Sequence, residues 1–234
     1  MTNDHNQLPN RNEPDQTNDS QFPPLEQALT QPNGLIAIGG QLTSKRLLAA
    51  YSQGIFPWFG EDEPIMWWSP DPRMVLFPNE LKIAKSLKKT LKKKPFQLSL
   101  NQSFRAVITA CSQVTRPDQA GTWINQAMID AYCELHHLGH AISSESWLNN
   151  QLVGGCYGVI IGKMFYGESM FHINTDASKV AFVHLVEHLQ TQQIGMIDCQ
   201  MKTPLLSQFG GREIPRHDFR QTLEKLIHLN PSTK

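Results

Sequence analysis

The chain of 234 residues has no run of about 18 apolar residues, no CxxC pair and no glycine fingerprint for a nucleotide phosphate. Without a long apolar run, no membrane helix is expected. Four scattered cysteines, Cys111, Cys133, Cys156 and Cys199, do not make a disulfide scaffold, so reduced thiols in a cytoplasmic protein are the expectation. Gly154, Gly155 and Gly158 fit neither a dinucleotide fingerprint nor a P-loop; within a strand they point to a bulge or a close backbone approach to a ligand. The opening MTNDHNQLPNRNEPDQTNDS lacks the apolar core of a secretory signal. After the initial Met its one large apolar residue is Leu8, too little burial to offset ordering entropy, so residues 1–21 read as a disordered tail.

Net charge is absent too. Lys plus Arg equals Asp plus Glu at 21 each, so no global field draws the protein to nucleic acid or membrane. The zero sum conceals an asymmetry: from Leu81 to Pro117 there is no Asp or Glu, while nine Lys and Arg fall there. What remains is an ordinary globular balance, 40% hydrophobic and 18% charged, enough for one large domain or two unequal ones.

Residues 22–73 are dense in turn formers. Thr43 or Ser44 is placed to cap a short helix carrying Leu47, Leu48 and Tyr51. Residues 54–73, GIFPWFGEDEPIMWWSPDPR, hold four prolines and three tryptophans, which forbid a long helix and predict structured loops in a small N-terminal domain. From Met74 to Lys234 the pattern is that of a second, larger domain. MVLF reads as a short strand, and NELKIAKSLKKTLKKK as an amphipathic helix with Ile83, Ala84, Leu87 and Leu91 on one face. FQLSLN alternates like a strand, and helices are predicted over 102–112 and from Asn125 to Leu138, ending at Gly139. Leu152–Ile161 and Met164–Phe171 read as strands joined by a Gly162-Lys163 turn. A helix capped by Asn174, Thr175 or Asp176 then runs to about Gln192, and a short strand spans Ile194–Met201. Strand, strand, helix, strand predicts a mixed α/β (α+β) domain.

Lys82, Lys85, Lys88, Lys89, Lys92, Lys93 and Lys94 are either a solvated helix face or a surface for nucleic-acid phosphates; the uniform sign and missing acids bring the second reading level with the first. His184-Leu185-Val186-Glu187-His188 matches the H-x-x-E-H pattern of some zinc proteases. Zinc catalysis also needs a third ligand, and only Glu213 and Glu224 follow among glutamates. His184 and His188 fall near the apolar face of Val180, Ala181, Leu185 and Leu189, so a packed or hydrogen-bonded pair is favoured over metal. Cys133, His136, His137 and His140 share a helical stretch but have no partner pair elsewhere. In a strand, Asp198 and Gln200 point to one side and Cys199 to the other, so a carboxylate and an amide side by side are expected, either facing water or orienting an amine.

Eight segments, in their order and spacing, carry more than any single motif: PNGLIAIGGQL (32–42), YSQGIFPWF (51–59), WWSPDPR (67–73), GTWI (121–124), LVGGCYGV (152–159), FYGESMF (165–171), ASK (177–179) and IDCQ (197–200). Together they resemble the leucyl/phenylalanyl-tRNA–protein transferases, from about residue 22 nearly to the end. The resemblance implies a bacterial, cytoplasmic, monomeric enzyme that moves Leu or Phe, and less well Met, from aminoacyl-tRNA to proteins starting with Arg or Lys, which marks them for degradation. It implies a small N-terminal domain and a larger one similar to the N-acetyltransferase superfamily, with no cofactor. Trp58 and Trp123 match the tryptophans that stack on the terminal adenosine. Cys156, Phe165, Met170, Phe182, Leu185 and Ile197 match the aminoacyl pocket. Glu168 matches a position near the acceptor, and Asp198 and Gln200 match the pair that assists the reaction. The lysine helix would hold tRNA phosphates. Cys156 stands where the family often has Met, Phe182 and Leu185 exchange bulk between two pocket positions, and Ile142 replaces a family His.

The implied reaction is aminolysis of an activated ester, which needs neither ATP nor metal. An α-amine with a pKa near 7.7–8.0 keeps a neutral fraction at pH 7, so a strong base is not essential. Two other classes fit parts of the sequence: a CoA-dependent N-acyltransferase, which would need a pyrophosphate-cradling loop, and a noncatalytic RNA-binding module, for which Asp198 and Gln200 would be dispensable.

Overall fold

The computed structural model describes residues 20–114 and 123–228. The expected disordered tail, up to residue 19, lies outside them, as do Gly121 and Thr122 of the GTWI segment.

In the N-terminal part, β1 (Leu35–Ile38), α1 (Ser44–Tyr51), β2 (Phe56–Pro57) and β3 (Met66–Trp68) follow one another. The Thr43 side chain accepts the Arg46 N–H and so caps α1, satisfying one of the orphan donors of its first turn. The tryptophan-rich stretch expected as loops contains strands, because β3 pairs with both β1 and β2 in a three-stranded sheet. Its indoles find backbone acceptors: Trp67 Nε1 donates to Gly39 O at 2.9 Å and Trp68 Nε1 to Trp58 O at 2.6 Å. Both polar tips are thereby satisfied while the rings are buried.

The remaining elements are β4 (Arg73–Leu76), α2 (Lys85–Lys93), β5 (Gln97–Leu100), α3 (Phe104–Ser112), α4 (Gln126–His137), β6 (Ala141–Leu148), β7 (Gln151–Ile161), β8 (Met164–His172), α5 (Ala177–Thr191), β9 (Met196–Gln200), α6 (Pro204–Gln208), β10 (Arg212–Ile214) and α7 (Arg216–Ile227). The strands build a seven-stranded sheet in the order β10-β4-β9-β8-β7-β6-β5. Among the described residues only the β8–β9 pair is parallel, and α5 makes the crossover between them. α5 packs on β6 and β7, while α3 packs on β6, β7 and β8. Each face carries its own apolar cluster, and the one containing α3 and α4 continues into Leu47, Tyr51, Phe56 and Trp67 of the small sheet's unit. This is the mixed α/β architecture expected.

β6 is absent from the sequence reading. Its centre, Ser143-Ser144-Glu145-Ser146, is polar yet fully buried, so hydropathy gives no strand signal there. Each polar group has a partner: Ser143 and Ser99 hydroxyls each donate to Glu145 at 2.6 Å, and the Ser146 hydroxyl donates to Ala177 O at 2.8 Å. The glycines of β7 meet close neighbours. A Cβ on Gly158 would sit 2.1 Å from Tyr166 O, and one on Gly154 would lie 2.6 Å from the Ala177 side chain at the start of α5. The β7–β8 register also shifts between Tyr157 and Gly158, which is the bulge expected there, and the close neighbours of these glycines are the protein's own atoms.

Two boundaries and one cap differ from expectation. The lysine helix begins only at Lys85: residues 78–80 form a 3₁₀ turn, Ala84 is extended without a side-chain cap, and the Lys82 N–H donates to Phe209 O at 2.9 Å. Pairing with Phe209 draws residues 81–84 out of the helix, and Lys94 ends it in the left-handed region at φ 47. Asp176 occupies the N-cap position of α5 at φ 64, but its carboxylate goes to Thr90 and Lys179 instead of capping. The last central strand is shorter than expected, Met196–Gln200. Among the described residues, no helix is long and apolar enough to cross a membrane.

Candidate active site

A cavity of about 710 Å³ opens where the small sheet meets the β7–β8–β9 region of the large one. β2 brings Phe56 and Pro57, and Trp58 and Trp123 line it as well. Cys156 comes from β7, Phe165 and Met170 from β8, Phe182 and Leu185 from α5, Ile197 from β9, and Leu205 and Leu206 from α6. The six expected apolar pocket residues therefore meet in one wall. Trp58 is held edge-on by Trp68, with ring centroids 5.7 Å apart.

The polar side of the cavity is built around Glu168 in β8. Tyr51 of α1 donates to Glu168 Oε1 at 2.6 Å and Tyr132 of α4 to Oε2 at 3.1 Å, and the two hydroxyls also touch each other. Burial raises the carboxyl pKa to about 7, against the opposing pull of the two phenol hydrogen bonds. Burial, reinforced by the Glu168 charge, lifts both phenols well above their ordinary values, so they stay donors. The result is a carboxyl that titrates near neutrality in a largely apolar cavity.

Asp198 and Gln200 do not share a face. Gln200 takes φ 56, so the two-residue alternation of β9 fails at its end. Gln200 and Cys199 line the cavity, whereas Asp198 is fully buried behind it. Arg73 of β4 forks onto Asp198, Nε to Oδ1 at 2.8 Å and Nη2 to Oδ2 at 2.7 Å, and the Gln200 N–H donates to Oδ1 at 2.9 Å. The expectation of a carboxylate and an amide presented together is corrected to an amide at the cavity and a carboxylate supporting its main chain. Burial pushes the Cys156 and Cys199 thiols up, so neither wall cysteine is poised as a nucleophile.

The remaining candidates lie elsewhere. Lys85, Lys88, Lys89, Lys92 and Lys93 are exposed along α2, with Lys82 and Lys94 exposed at its two flanks. Leu87 is buried beneath them, and Thr90 Oγ1 donates to Asp176 at 2.9 Å. His184 Nδ1 lies 3.1 Å from the Ser144 hydroxyl, and His136 stacks on Phe104 at 4.4 Å with its Nδ1 2.8 Å from Ala141 O. Among the described residues, no cluster of three His, Cys, Asp or Glu side chains is placed to hold a metal ion.

Sequence reasoning did not single out Tyr51, Tyr132 or Arg73 as site residues. Tyr51 and Arg73 fall inside the YSQGIFPWF and WWSPDPR segments, a usable signal. Tyr132 sits in an unremarkable helix, and only the fold brings it to Glu168.

An apolar chamber holding a buried titratable carboxyl suits a group passed directly between two bound partners, and the family comparisons make the chain an aminoacyltransferase. The comparisons give the family. The model described as leucyl/phenylalanyl-tRNA protein transferase matches residues 75–224, and the model of that transferase's N-terminal domain matches residues 40–71. Leucyl/phenylalanyl-tRNA–protein transferases of Nitrosospira multiformis and Nitrosomonas europaea are 54% and 57% identical, over 91% and 90% of this chain and 91% and 89% of theirs. The chain belongs to the leucyl/phenylalanyl-tRNA protein transferase family. One solved structure that the chain resembles is remote: a GCN5-related N-acetyltransferase-like protein from Streptococcus suis reaches a TM-score of 0.37 at 12% identity, covering 70% of this chain and 61% of its own. At that level the superposition carries no weight.

Proposed function

We propose that the protein moves Leu or Phe, and less well Met, from aminoacyl-tRNA to the α-amine of proteins beginning with Arg or Lys, marking them for N-end-rule degradation. It would work as a cytoplasmic monomer without metal or cofactor, its units being a tail of residues 1–21, a small domain of 22–73 and a transferase domain of 74–234. The observation that carries this reading is the two-sided cavity: apolar walls suited to a Leu or Phe side chain on one side, and the Glu168 carboxyl on the other.

Trp58 and Trp123 would stack on the terminal adenosine, a sequence-tolerant contact suited to an end shared by all tRNAs. The wall of Cys156, Phe165, Met170, Phe182, Leu185 and Ile197 would take the aminoacyl side chain. Such a pocket rejects charge strongly but separates near-isosteres by only about 1–3 kcal/mol, which accounts for more than one accepted amino acid. Glu168, when ionised, would pair with the acceptor's Arg or Lys. Lys82, Lys85, Lys88, Lys89, Lys92 and Lys93 would meet tRNA phosphates.

In the transfer, the neutral α-amine attacks the ester carbonyl, the new C–N bond forms, and the ester C–O bond breaks. The ribose oxygen of the tRNA leaves with a proton shed by the nitrogen. Gln200 is barely basic, so its part is to accept an N–H hydrogen bond and orient the amine, with positioning supplying most of the rate. Asp198 acts through Gln200.

The test is transfer of labelled Leu from leucyl-tRNA to an Arg-starting peptide, with the N-acetylated peptide as control. Label on the free peptide alone supports the reading. Salt-sensitive binding of charged tRNA without transfer would leave an RNA-binding module, and transfer from an acyl-CoA would replace the donor.

A further inference from the structure

Arg73 is fully buried, and the chemistry above does not touch it. Its planar fork admits one orientation of the Asp198 carboxylate, a constraint that a point charge could not impose. The guanidinium is itself held in a slot: it lies 4.8 Å from the centroid of Phe56, a cavity wall, and 4.6 Å from that of Phe219 on α7. A buried ion pair is a weak source of stability compared with apolar residues of the same volume. What this pair does supply is geometry. Asp198 Oδ1, fixed by Arg73 Nε, also takes the Gln200 N–H at 2.9 Å. Gln200 stands in the left-handed region at φ 56, uncommon for a residue other than glycine, and its N–H is held there by Asp198. That turn is what brings Gln200 onto the cavity wall beside Cys199.

We propose that Arg73 is a positioning residue for aminoacyl transfer: it locks Asp198, and through the Asp198–Gln200 hydrogen bond it holds Gln200 in the conformation that faces the cavity. The inference rests on the reading of Gln200 as the group that meets the amine. Phe56 and Phe219 extend the device, since both rings pack against the guanidinium that holds the carboxylate.

The experiment compares Arg73→Lys in two backgrounds, the natural chain and Gln200→Ala. Steady-state transfer of Leu to an Arg-starting peptide is measured alongside thermal unfolding of each variant. Lys keeps the charge but cannot make the two parallel bonds. Expected is a fall in kcat of roughly 10- to 100-fold in the natural background, the scale of a small misplacement of a reacting group, with little change in KM for either substrate. In the Gln200→Ala background the same substitution leaves kcat within about threefold, because Arg73 then has nothing left to position. An equal loss in both backgrounds, or no loss in the natural one, overturns the proposal while leaving Gln200 its role. Full kcat in Gln200→Ala alone removes that role and the inference with it. If Arg73→Lys does not fold, Phe219→Leu takes its place: it keeps both charges, opens one side of the slot, and is judged by the same comparison.

Discussion

Glu168→Gln isolates the one carboxyl that titrates near pH 7 in the cavity. If only the ionised carboxyl pairs with an acceptor Arg, the apparent acceptor KM scales as one plus the ratio of protonated to ionised Glu168. With a pKa of about 7, that factor is about 11 at pH 6 and about 1.1 at pH 8, a tenfold weakening attributable to this group. The acceptor's guanidinium does not titrate in this range, and its α-amine titrates identically for both enzymes, so the natural-to-variant ratio cancels it. The assay is acceptor KM from pH 6 to 8, using an Arg-starting peptide and saturating leucyl-tRNA. The natural enzyme's KM should rise about tenfold more than the variant's on going from pH 8 to 6. Equal pH slopes would refute the pairing of Glu168 with the acceptor. Stability responds to the same carboxyl. The folded pKa is raised above the ordinary value of 4.5, so the stabilising contribution is complete below pH 4.5 and is lost as pH rises through about 7. Thermal unfolding should show the natural enzyme losing ground to Glu168→Gln across that window.

Replacing Lys85, Lys88, Lys89, Lys92 and Lys93 of α2 with Gln should weaken tRNA binding and flatten its salt dependence. The logarithmic slope should fall by about 0.7–0.9 for each phosphate contact removed, and an unchanged slope in a binding titration would make α2 a solvated face only. Leu185→Ala should cost about 2–5 kcal/mol of stability by denaturant unfolding, since the side chain is buried against the α5 cluster. The same variant should lower kcat/KM for Leu more than for Phe, because the enlarged pocket refills better with a ring; equal losses would place Leu185 outside the donor pocket. Gly158→Ala should unfold the sheet centre, since the added Cβ would sit 2.1 Å from Tyr166 O. A melting temperature within a few degrees of the natural protein would contradict that geometry.

The sequence was most legible where periodicity and local chemistry agree. Thr43 caps its helix as its position predicts, and the Gly162-Lys163 turn joins β7 to β8. β6 was illegible because its buried face is made of serines and a glutamate, whose satisfaction depends on Ser99 from another strand and Ala177 from a helix. Periodicity predicts a lysine helix longer than the one found because hydropathy cannot see the Lys82 N–H taken by Phe209. Alternation puts Asp198 and Gln200 on one face because it assumes an extended backbone, and φ 56 at Gln200 breaks it.

Sequence by itself therefore determined the mixed α/β class, the family, and the residue types of the apolar wall, because these follow from periodicity and from rare segments that are local in the chain. Tertiary structure alone decided how the polar half of the site is assembled and which partners its carboxylates take. Tyr51, Tyr132 and Glu168 are 81 and 36 positions apart in succession, and Arg73 is 125 from Asp198. No local pattern encodes such meetings. They arise because the sheet order lays β4 against β9 and the small unit shares its apolar cluster with α4, burying these groups together where desolvation sets their charge.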